Sequence, residues 1–124
     1  MAALNHILVI DDEQVIGDLI KRVVENVGYS ATVCQSSEDV HRAIQGKPPT
    51  LIISDFNLPG SFNGVELCLT ILNSLQRQAP VIIISGQPEN ERVARQMGFE
   101  FMRKPLTTEK LLLLVQKCLA RHVN

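Results

Sequence analysis

The chain has 124 residues, of which 45% are apolar and 20% are charged. These values are typical of one soluble globular domain and leave no room for a second. The formal net charge of -1 provides no overall field that would favour nucleic acid or a membrane surface. No apolar run approaches the roughly 18 residues of a membrane span, and the N-terminal run is too short for a signal peptide. We therefore expect residues 1–124 to form a single cytoplasmic domain.

Short β-branched runs alternate along the chain with segments of helical period. The predicted strands are residues 6–10, 31–34, 51–54, 81–85 and 99–102. The third and fourth runs are apolar on both faces, which is typical of central strands covered by helices on each side. A strand followed each time by a helix predicts a parallel sheet with helices on both faces.

The intervening segments carry recognisable helix signals. Apolar residues recur at helical spacing between Val15 and Val27, and "SSED" (36–39) and "NGVE" (63–66) offer a capping residue with an acid three positions later. The fourth helix, at about 89–97, is poor in apolar residues. In the last helix, which Thr107 can cap, one face is predicted to hold Leu111, Leu112, Val115 and Leu119. Leu113 falls nearly opposite that face, so we expect it at the surface.

The cysteines and histidines give weaker signals. Cys34, Cys68 and Cys118 are odd in number and lie in apolar patterns, which favours buried thiols over disulfides or metal ligands. His6, His41 and His122 have no metal-ligand spacing. We therefore predict that all three histidines lie at the surface.

Polar and charged groups follow four of the five predicted strands. They are Asp11, Asp12 and Glu13 after the first strand, Asp55 after the third, Ser85 and Gly86 after the fourth, and Arg103, Lys104 and Pro105 after the fifth. In a parallel sheet these groups share one edge. Carboxylates held together repel one another and need a cation, and hard oxygen ligands indicate Mg²⁺. Lys104 adds a compact ammonium suited to an anionic oxygen.

This set of motifs resembles the receiver domain of two-component response regulators, the family that includes the chemotaxis response regulator. The resemblance rests on "DD" at 11–12, Asp55, Ser85 with a small residue after it, and "KP" at 104–105, and it extends from Ile7 to about Leu119. It implies a doubly wound five-stranded sheet in the flavodoxin-like order 2-1-3-4-5. It also implies a phosphoacceptor that catalyses its own phosphoryl transfer and slow hydrolysis, rather than an enzyme with a separate substrate.

The resemblance assigns a role to each matching residue. Asp55 is expected to accept the phosphoryl group, and Lys104 to be the phosphoryl partner, with a cis bond between Lys104 and Pro105. Mg²⁺ is expected to bind Asp12 and Asp55 directly, Asp11 mainly through water, and the backbone carbonyl of Asn57. Ser85 is expected to be the switch hydroxyl and Phe101 the aromatic switch.

Several positions depart from the family pattern. The loop from Asp55 to Gly64 is one residue longer than in the commonest members, Gly86 replaces a more frequent Ala, and Phe101 replaces a more frequent Tyr. Asn57 and Gln87 occupy the two positions that tune dephosphorylation in the family. The path of the loop and the lifetime of the phosphoryl group therefore stay open.

The resemblance also implies partners. A histidine kinase or phosphotransfer protein would supply the phosphoryl group, and a downstream protein would bind the surface formed by the fourth helix, fifth strand and fifth helix. A homodimer is another use of that surface. The alternatives are a receiver-like interaction module that is never phosphorylated, and a receiver fragment of a hybrid sensor kinase or longer regulator.

Two other functions on related folds are disfavoured. An FMN carrier would need a phosphate-binding loop after the first strand and aromatic residues for the flavin, whereas this chain has acids there and no Trp. A phosphatase with an Asp nucleophile would need a second Asp two residues after Asp55, and Asn57 stands there.

Overall fold

Five strands and five helices alternate in the structure, a computed structural model that describes residues 5–121. They are β1 His6–Ile10, α1 Gln14–Glu25, β2 Ser30–Cys34, α2 Ser37–Gly46, β3 Leu51–Asp55, α3 Gly64–Leu75, β4 Val81–Ser85, α4 Asn90–Gln96, β5 Glu100–Arg103 and α5 Thr108–Arg121. None of the helices in this part of the chain is long and apolar enough to cross a membrane.

The strands form one parallel sheet in the order β2-β1-β3-β4-β5. In the register of the central strands, Ile53 lies opposite Val9 on one side and Ile82 on the other. Every residue of β1, β3 and β4 is buried. The predicted fold class, a doubly wound sheet in the order 2-1-3-4-5, is therefore confirmed.

Two apolar cores cover the two faces of this sheet. The first joins α1 and α5 to one set of alternate strand residues, among them Ile7, Val9 and Ile53. The second joins α2, α3 and α4 to the other set, among them Leu8, Ile52 and Ile83. Side chains alternate in direction along a strand, so the consecutive apolar residues of β3 supply both cores, Leu51 and Ile53 the first and Ile52 the second.

The helix starts follow the signals in the sequence. Ser36 accepts a hydrogen bond from the Asp39 backbone N–H, as an N-cap residue does. Asn63 and Glu66 form a reciprocal capping box, in which each side chain accepts from the other residue's backbone N–H. Each cap satisfies donors that the first helical turn would otherwise leave unpaired.

The boundaries of four elements differ from the predicted ones, and the first of these is β2, which begins at Ser30 rather than 31. Strand β3 continues through Asp55, because the main chain pairs with Ile84 of β4 at that residue. Strand β5 begins at Glu100 rather than 99 and includes Arg103, which lies opposite Ser85. Helix α4 is shorter than predicted, with seven residues. Asp55 and Arg103 are thus the last residues of their strands, and Lys104 comes directly after Arg103. Strand pairing therefore fixes the main chain at the acid and at the positive charges.

The last helix has the predicted faces. Leu111, Val115 and Leu119 are buried and Leu112 is partly buried, whereas Leu113 is 66% exposed. Cys34, Cys68 and Cys118 are buried, as predicted.

The predicted surface position of His6 is wrong. Its side chain is 7% exposed, because β1 is an interior strand and His6 is its first residue. The imidazole nitrogens lie 2.7 Å from Ser30 Oγ and 3.0 Å from Thr32 Oγ1 on the neighbouring strand. The apolar pattern that predicted β1 rests on the residues after His6 and carries no information about the burial of His6 itself. His41 is exposed, and His122 lies outside the described residues.

Burial gives His6 a measurable effect on stability. Burial, and then the charges of Lys47 and Lys21, lower the pKa of His6 below its ordinary 6.5. The unfolded chain therefore binds more protons than the folded chain at and just below pH 6.5, so the contribution of neutral His6 is lost as pH falls through that range.

We predict that urea unfolding at pH 7 and pH 5 reveals this loss. The His6→Gln variant should lose less free energy of unfolding over that interval than the wild type, because Gln takes up no proton. His41→Gln, at an exposed position, is the matched control. Equal pH dependence in the wild type and His6→Gln would contradict the prediction.

Candidate functional site

Three carboxylates meet at the carboxyl end of the sheet. Asp11 and Asp12 follow β1, and Asp55 ends the adjacent strand β3. One oxygen of each carboxylate lies within 4.8 Å of the others. Asp11 and Asp55 are buried whereas Asp12 is exposed, so the cluster opens to solvent on the Asp12 side. The fold thus brings together the acids that the sequence placed at one edge.

One ammonium group faces this cluster. Lys104 Nζ lies 3.4 Å from Asp55 Oδ1 in an ion pair. The position of Lys104 is fixed by its main chain, because its N–H donates to the Ser85 carbonyl at 2.9 Å. The bond between Lys104 and Pro105 is cis. A single positive charge therefore balances only part of the negative charge of three acids.

The buried acids are costly to ionise in this arrangement. Burial raises the pKa of Asp11 to about 6, and the Asp55 charge adds to that effect against the opposing hydrogen bond from the Glu13 N–H. Burial also raises the pKa of Asp55, although the charge of Lys104 opposes this rise. Desolvation of the charged carboxylate is the main physical cause in both cases.

The cluster also has free acceptor atoms. Asp11 Oδ1 accepts from the Glu13 N–H at 2.9 Å, but Asp11 Oδ2 is buried and has no hydrogen-bond partner among the described residues. Asp55 Oδ1 likewise lacks a well-formed hydrogen bond. Buried acceptors are rarely left in this state. Oxygen donors that converge with spare lone pairs and excess negative charge fit a hard divalent cation such as Mg²⁺.

The other predicted site residues lie around the cluster. Asn57 is exposed in the loop after β3, and its backbone N–H helps to oppose the rise in the Asp55 pKa. Phe101 is buried in β5 as part of the core beneath α4. A Cβ at Gly86 would meet no atom within 4 Å. The space after β4 is therefore open, as the approach of a substrate group to this edge would require.

The Ser85 hydroxyl bonds to the loop that leads into α4. Ser85 is fully buried, and its Oγ accepts hydrogen bonds from the Gln87 N–H at 3.0 Å and from Asn90 Nδ2 at 2.9 Å. Asn90 was not among the site residues predicted from the sequence. No local pattern indicates its contact with Ser85, because that contact depends on the path of residues 86–89.

Gly64 was also missed as a residue that shapes the site. A Cβ at Gly64 would lie 2.1 Å from the Asp55 carbonyl oxygen and 2.9 Å from Ser54 Oγ, which donates to that same carbonyl. Only glycine allows α3 to begin so close to the end of β3. The signal was present in the sequence, because glycine in the first turn of a helix costs helix stability and needs another reason.

The raised pKa of Asp11 predicts a change in stability with pH. A carboxyl group whose pKa is higher in the folded state than in the unfolded state stabilises the fold at low pH, and this contribution is lost as pH rises through about 6. In chelator at pH 7, Asp11→Asn should therefore raise the free energy of unfolding by about 1–3 kcal/mol. The variant should also show a flatter profile between pH 4 and 7 in urea unfolding. Glu13→Gln is the control, and a destabilised Asp11→Asn variant would contradict the prediction.

Comparisons with known proteins place this geometry in a family. The family model described as "Response regulator receiver domain" matches residues 7–116. The nitrogen assimilation regulatory protein NtrX of Azorhizobium caulinodans is 31% identical over 119 residues, which cover 93% of this chain and 26% of that protein. The chain spans about a quarter to a half of the length of the curated relatives it matches.

Two solved structures show the same fold in isolated receiver domains. The receiver domain protein of Clostridium thermocellum has a TM-score of 0.83 and 28% identity, with 95% of this chain and 96% of that chain covered. The receiver domain of NtrX from Brucella abortus has a TM-score of 0.81 and 28% identity, with 92% and 98% covered. The match over residues 7–116, together with this shared fold, shows that the chain belongs to the response regulator receiver domain family.

Proposed function

We propose that this chain accepts a phosphoryl group on Asp55 from a phosphohistidine of a histidine kinase or phosphotransfer protein. The observation that carries the proposal is the cluster of Asp11, Asp12 and Asp55 oxygens within 4.8 Å, with the Lys104 ammonium 3.4 Å from Asp55. Receiver domains as a family are phosphoacceptors that bind Mg²⁺ at such an acidic cluster and interact with histidine kinases and output domains.

In the proposed transfer, an Asp55 carboxylate oxygen attacks phosphorus, an O–P bond forms, and the N–P bond of the phosphohistidine breaks. The electron pair of that bond returns to the imidazole nitrogen. Lys104 compensates the charge on the phosphoryl oxygens, and the open space at Gly86 admits them. Strand β3 holds the nucleophile rigidly in place, so that positioning and electrostatics provide most of the catalysis.

We propose that Asp12, Asp55 and the Asn57 backbone carbonyl would hold Mg²⁺, with Asp11 acting mainly through water. The spare acceptor atoms Asp11 Oδ2 and Asp55 Oδ1 support this assignment, as does the all-oxygen donor set. When bound, the ion would neutralise charge on the acids and on the phosphoryl oxygens. Hydrolysis of the acyl phosphate by water would later return Asp55 to its starting state.

The proposed output surface consists of α4, β5 and α5. A groove of about 390 Å³ on it is lined by apolar residues such as Phe101, Leu113 and Leu114 and by the cationic residues Arg103, Lys110 and Lys117. Cationic groups around an apolar floor suit a downstream protein that presents acidic and apolar side chains. A second copy of the chain is the alternative occupant.

We predict that a small phosphodonor with Mg²⁺ adds one phosphoryl group to the wild type and none to Asp55→Asn. The reason is that, among the three acids of the cluster, Asp55 forms the ion pair with Lys104, whose ammonium can compensate the charge of the incoming phosphoryl group. Intact mass measures the addition directly. Asp18→Asn, on the exposed side of α1, is the matched control and should be phosphorylated normally. An unmodified wild type would instead favour an interaction module that is never phosphorylated.

We also predict that Ser85→Ala uncouples α4 from the phosphorylation site. In the wild type, phosphorylation should shift the backbone ¹⁵N resonances of residues 90–96, because the Ser85 hydroxyl contacts α4 through Asn90. In Ser85→Ala, Asp55 should still accept the phosphoryl group while those shifts shrink by more than half. Shifts of equal size in both proteins would contradict the proposed switch.

A further inference from the structure

The first residue of α4 is an unusual polar group in an apolar setting. Asn90 is 8% exposed, and with Ala94 it is one of two buried residues of this seven-residue helix. Its side-chain amide donates to Ser85 Oγ at 2.9 Å and to Gln87 Oε1 at 3.1 Å. A buried amide at the start of a weakly packed helix is costly unless its hydrogen bonds are made.

The hydrogen-bond partners of Ser85 Oγ limit the further hydrogen bonds that this hydroxyl can form in the unphosphorylated protein. A hydroxyl oxygen accepts two hydrogen bonds and donates one. The Gln87 N–H and Asn90 Nδ2 fill both acceptor positions, so only the Ser85 proton is left to donate. Because Ser85 is fully buried, water does not readily replace either bond if the oxygen moves.

Movement of Ser85 Oγ would therefore change the hydrogen bonds at the start of α4. A displacement that carries the hydroxyl oxygen away from the loop and toward a group on Asp55 would lengthen its 2.9 Å hydrogen bond to Asn90 Nδ2. The backbone N–H of Asn90 also donates to the Gln87 carbonyl, which ties the start of α4 to the same loop. Ala94, one turn further on, packs in the same core as Phe101 of β5.

We propose that Asn90 is a positioning residue that holds Ser85 in its unphosphorylated orientation and transmits the release of Ser85 to α4. This inference rests on the proposed function, since it needs a phosphoryl group on Asp55 to attract the Ser85 hydroxyl. Phosphorylation replaces the hydrogen bond from Asn90 to Ser85 by a hydrogen bond from Ser85 to a phosphoryl oxygen. The side-chain amide of Asn90 then loses Ser85 Oγ as its acceptor. The start of α4 then moves because its buried polar anchor has been lost.

Two substitutions at this position should act in opposite directions. Asn90→Ala removes the bond that favours the resting orientation, so the phosphorylation rate with a small phosphodonor should rise roughly fivefold, which corresponds to about 1 kcal/mol, the net value of one hydrogen bond. Asn90→Asp replaces the donor with an acceptor of the same shape. The Ser85 proton would then be donated to the new carboxylate and withheld from the phosphoryl group, so the rate should fall by a similar factor.

Two controls separate this role from a general weakening of α4. Val93→Gly loosens the same helix at an exposed position without a change in charge and should leave the rate within about twofold of the wild type. In a Ser85→Ala background, Asn90→Ala should have no effect on the rate. Any effect of Asn90→Asp that persists there measures the added charge alone.

The side-chain amide of Asn90 provides a readout that does not depend on rates. Its NH₂ group gives a pair of ¹H–¹⁵N cross-peaks at one ¹⁵N shift, and this pair should move when the wild type is phosphorylated. In unphosphorylated Ser85→Ala the pair should already lie near the phosphorylated position, because the acceptor is absent. A merely structural role of Asn90 would move neither the resonances nor the rates in this pattern.

The outcomes distinguish the two levels of inference. If the wild type accepts no phosphoryl group, the proposed function fails, and the role of Asn90 fails with it. If the wild type is phosphorylated but Asn90→Ala is unchanged or slower, only the role of Asn90 is overturned. A faster Asn90→Ala, a slower Asn90→Asp and no effect of Asn90→Ala in the Ser85→Ala background together support it.

Discussion

The structure depends on a charge imbalance at one edge of a buried sheet. Asp11, Asp12 and Asp55 converge within 4.8 Å, and Lys104 is the ammonium group that approaches them. The pKa values of Asp11 and Asp55 are raised chiefly by burial. Ionisation of these acids at neutral pH therefore lowers the stability of the fold, and a bound cation would offset this loss. Family proteins use such a site to bind Mg²⁺ and a phosphoryl group, and the same imbalance supports that use in this chain.

The apolar strands make this unfavourable arrangement possible. Strands β1 and β3 are buried along their whole length and contribute to both cores, which fixes the carboxylates that follow or end them. Gly64 lets α3 begin against the Asp55 carbonyl, where a side chain would collide. The contacts of Ser85 then lead from this rigid edge to α4, a helix of seven residues in which Asn90 and Ala94 are buried. Ser85 thus joins the carboxyl edge of the sheet to the start of α4.

Much of this arrangement follows from the sequence. The alternation of β-branched runs with helical periods predicts the sheet, and the strand order puts the groups at 11–12, 55, 85 and 104 on one edge. Local signals were sufficient because four of the five strands carry a site residue at or directly after their carboxyl end. The caps at Ser36 and Asn63 were predictable for the same reason, since each depends on residues three positions apart.

The features that the sequence did not reveal depend on contacts between distant segments or on loop paths. The burial of His6 follows from the interior place of β1 in the sheet, and its polar partners lie on β2. The bond between Asn90 and Ser85 exists because residues 86–89 turn back on β4, which no periodic pattern encodes. Gly64 had a local signal, a poor helix former in a first turn, but its meaning needed the position of Asp55.

The most direct test of the central claim is the number of protons released when Mg²⁺ binds. Calorimetric titration at pH 6 and pH 8, in buffers with different ionisation enthalpies, measures this number. Because the pKa of Asp11 is about 6, we expect release of about half a proton at pH 6 and close to none at pH 8. An absence of binding, or equal proton release at both pH values, would contradict the account of a cation site built on this charge imbalance.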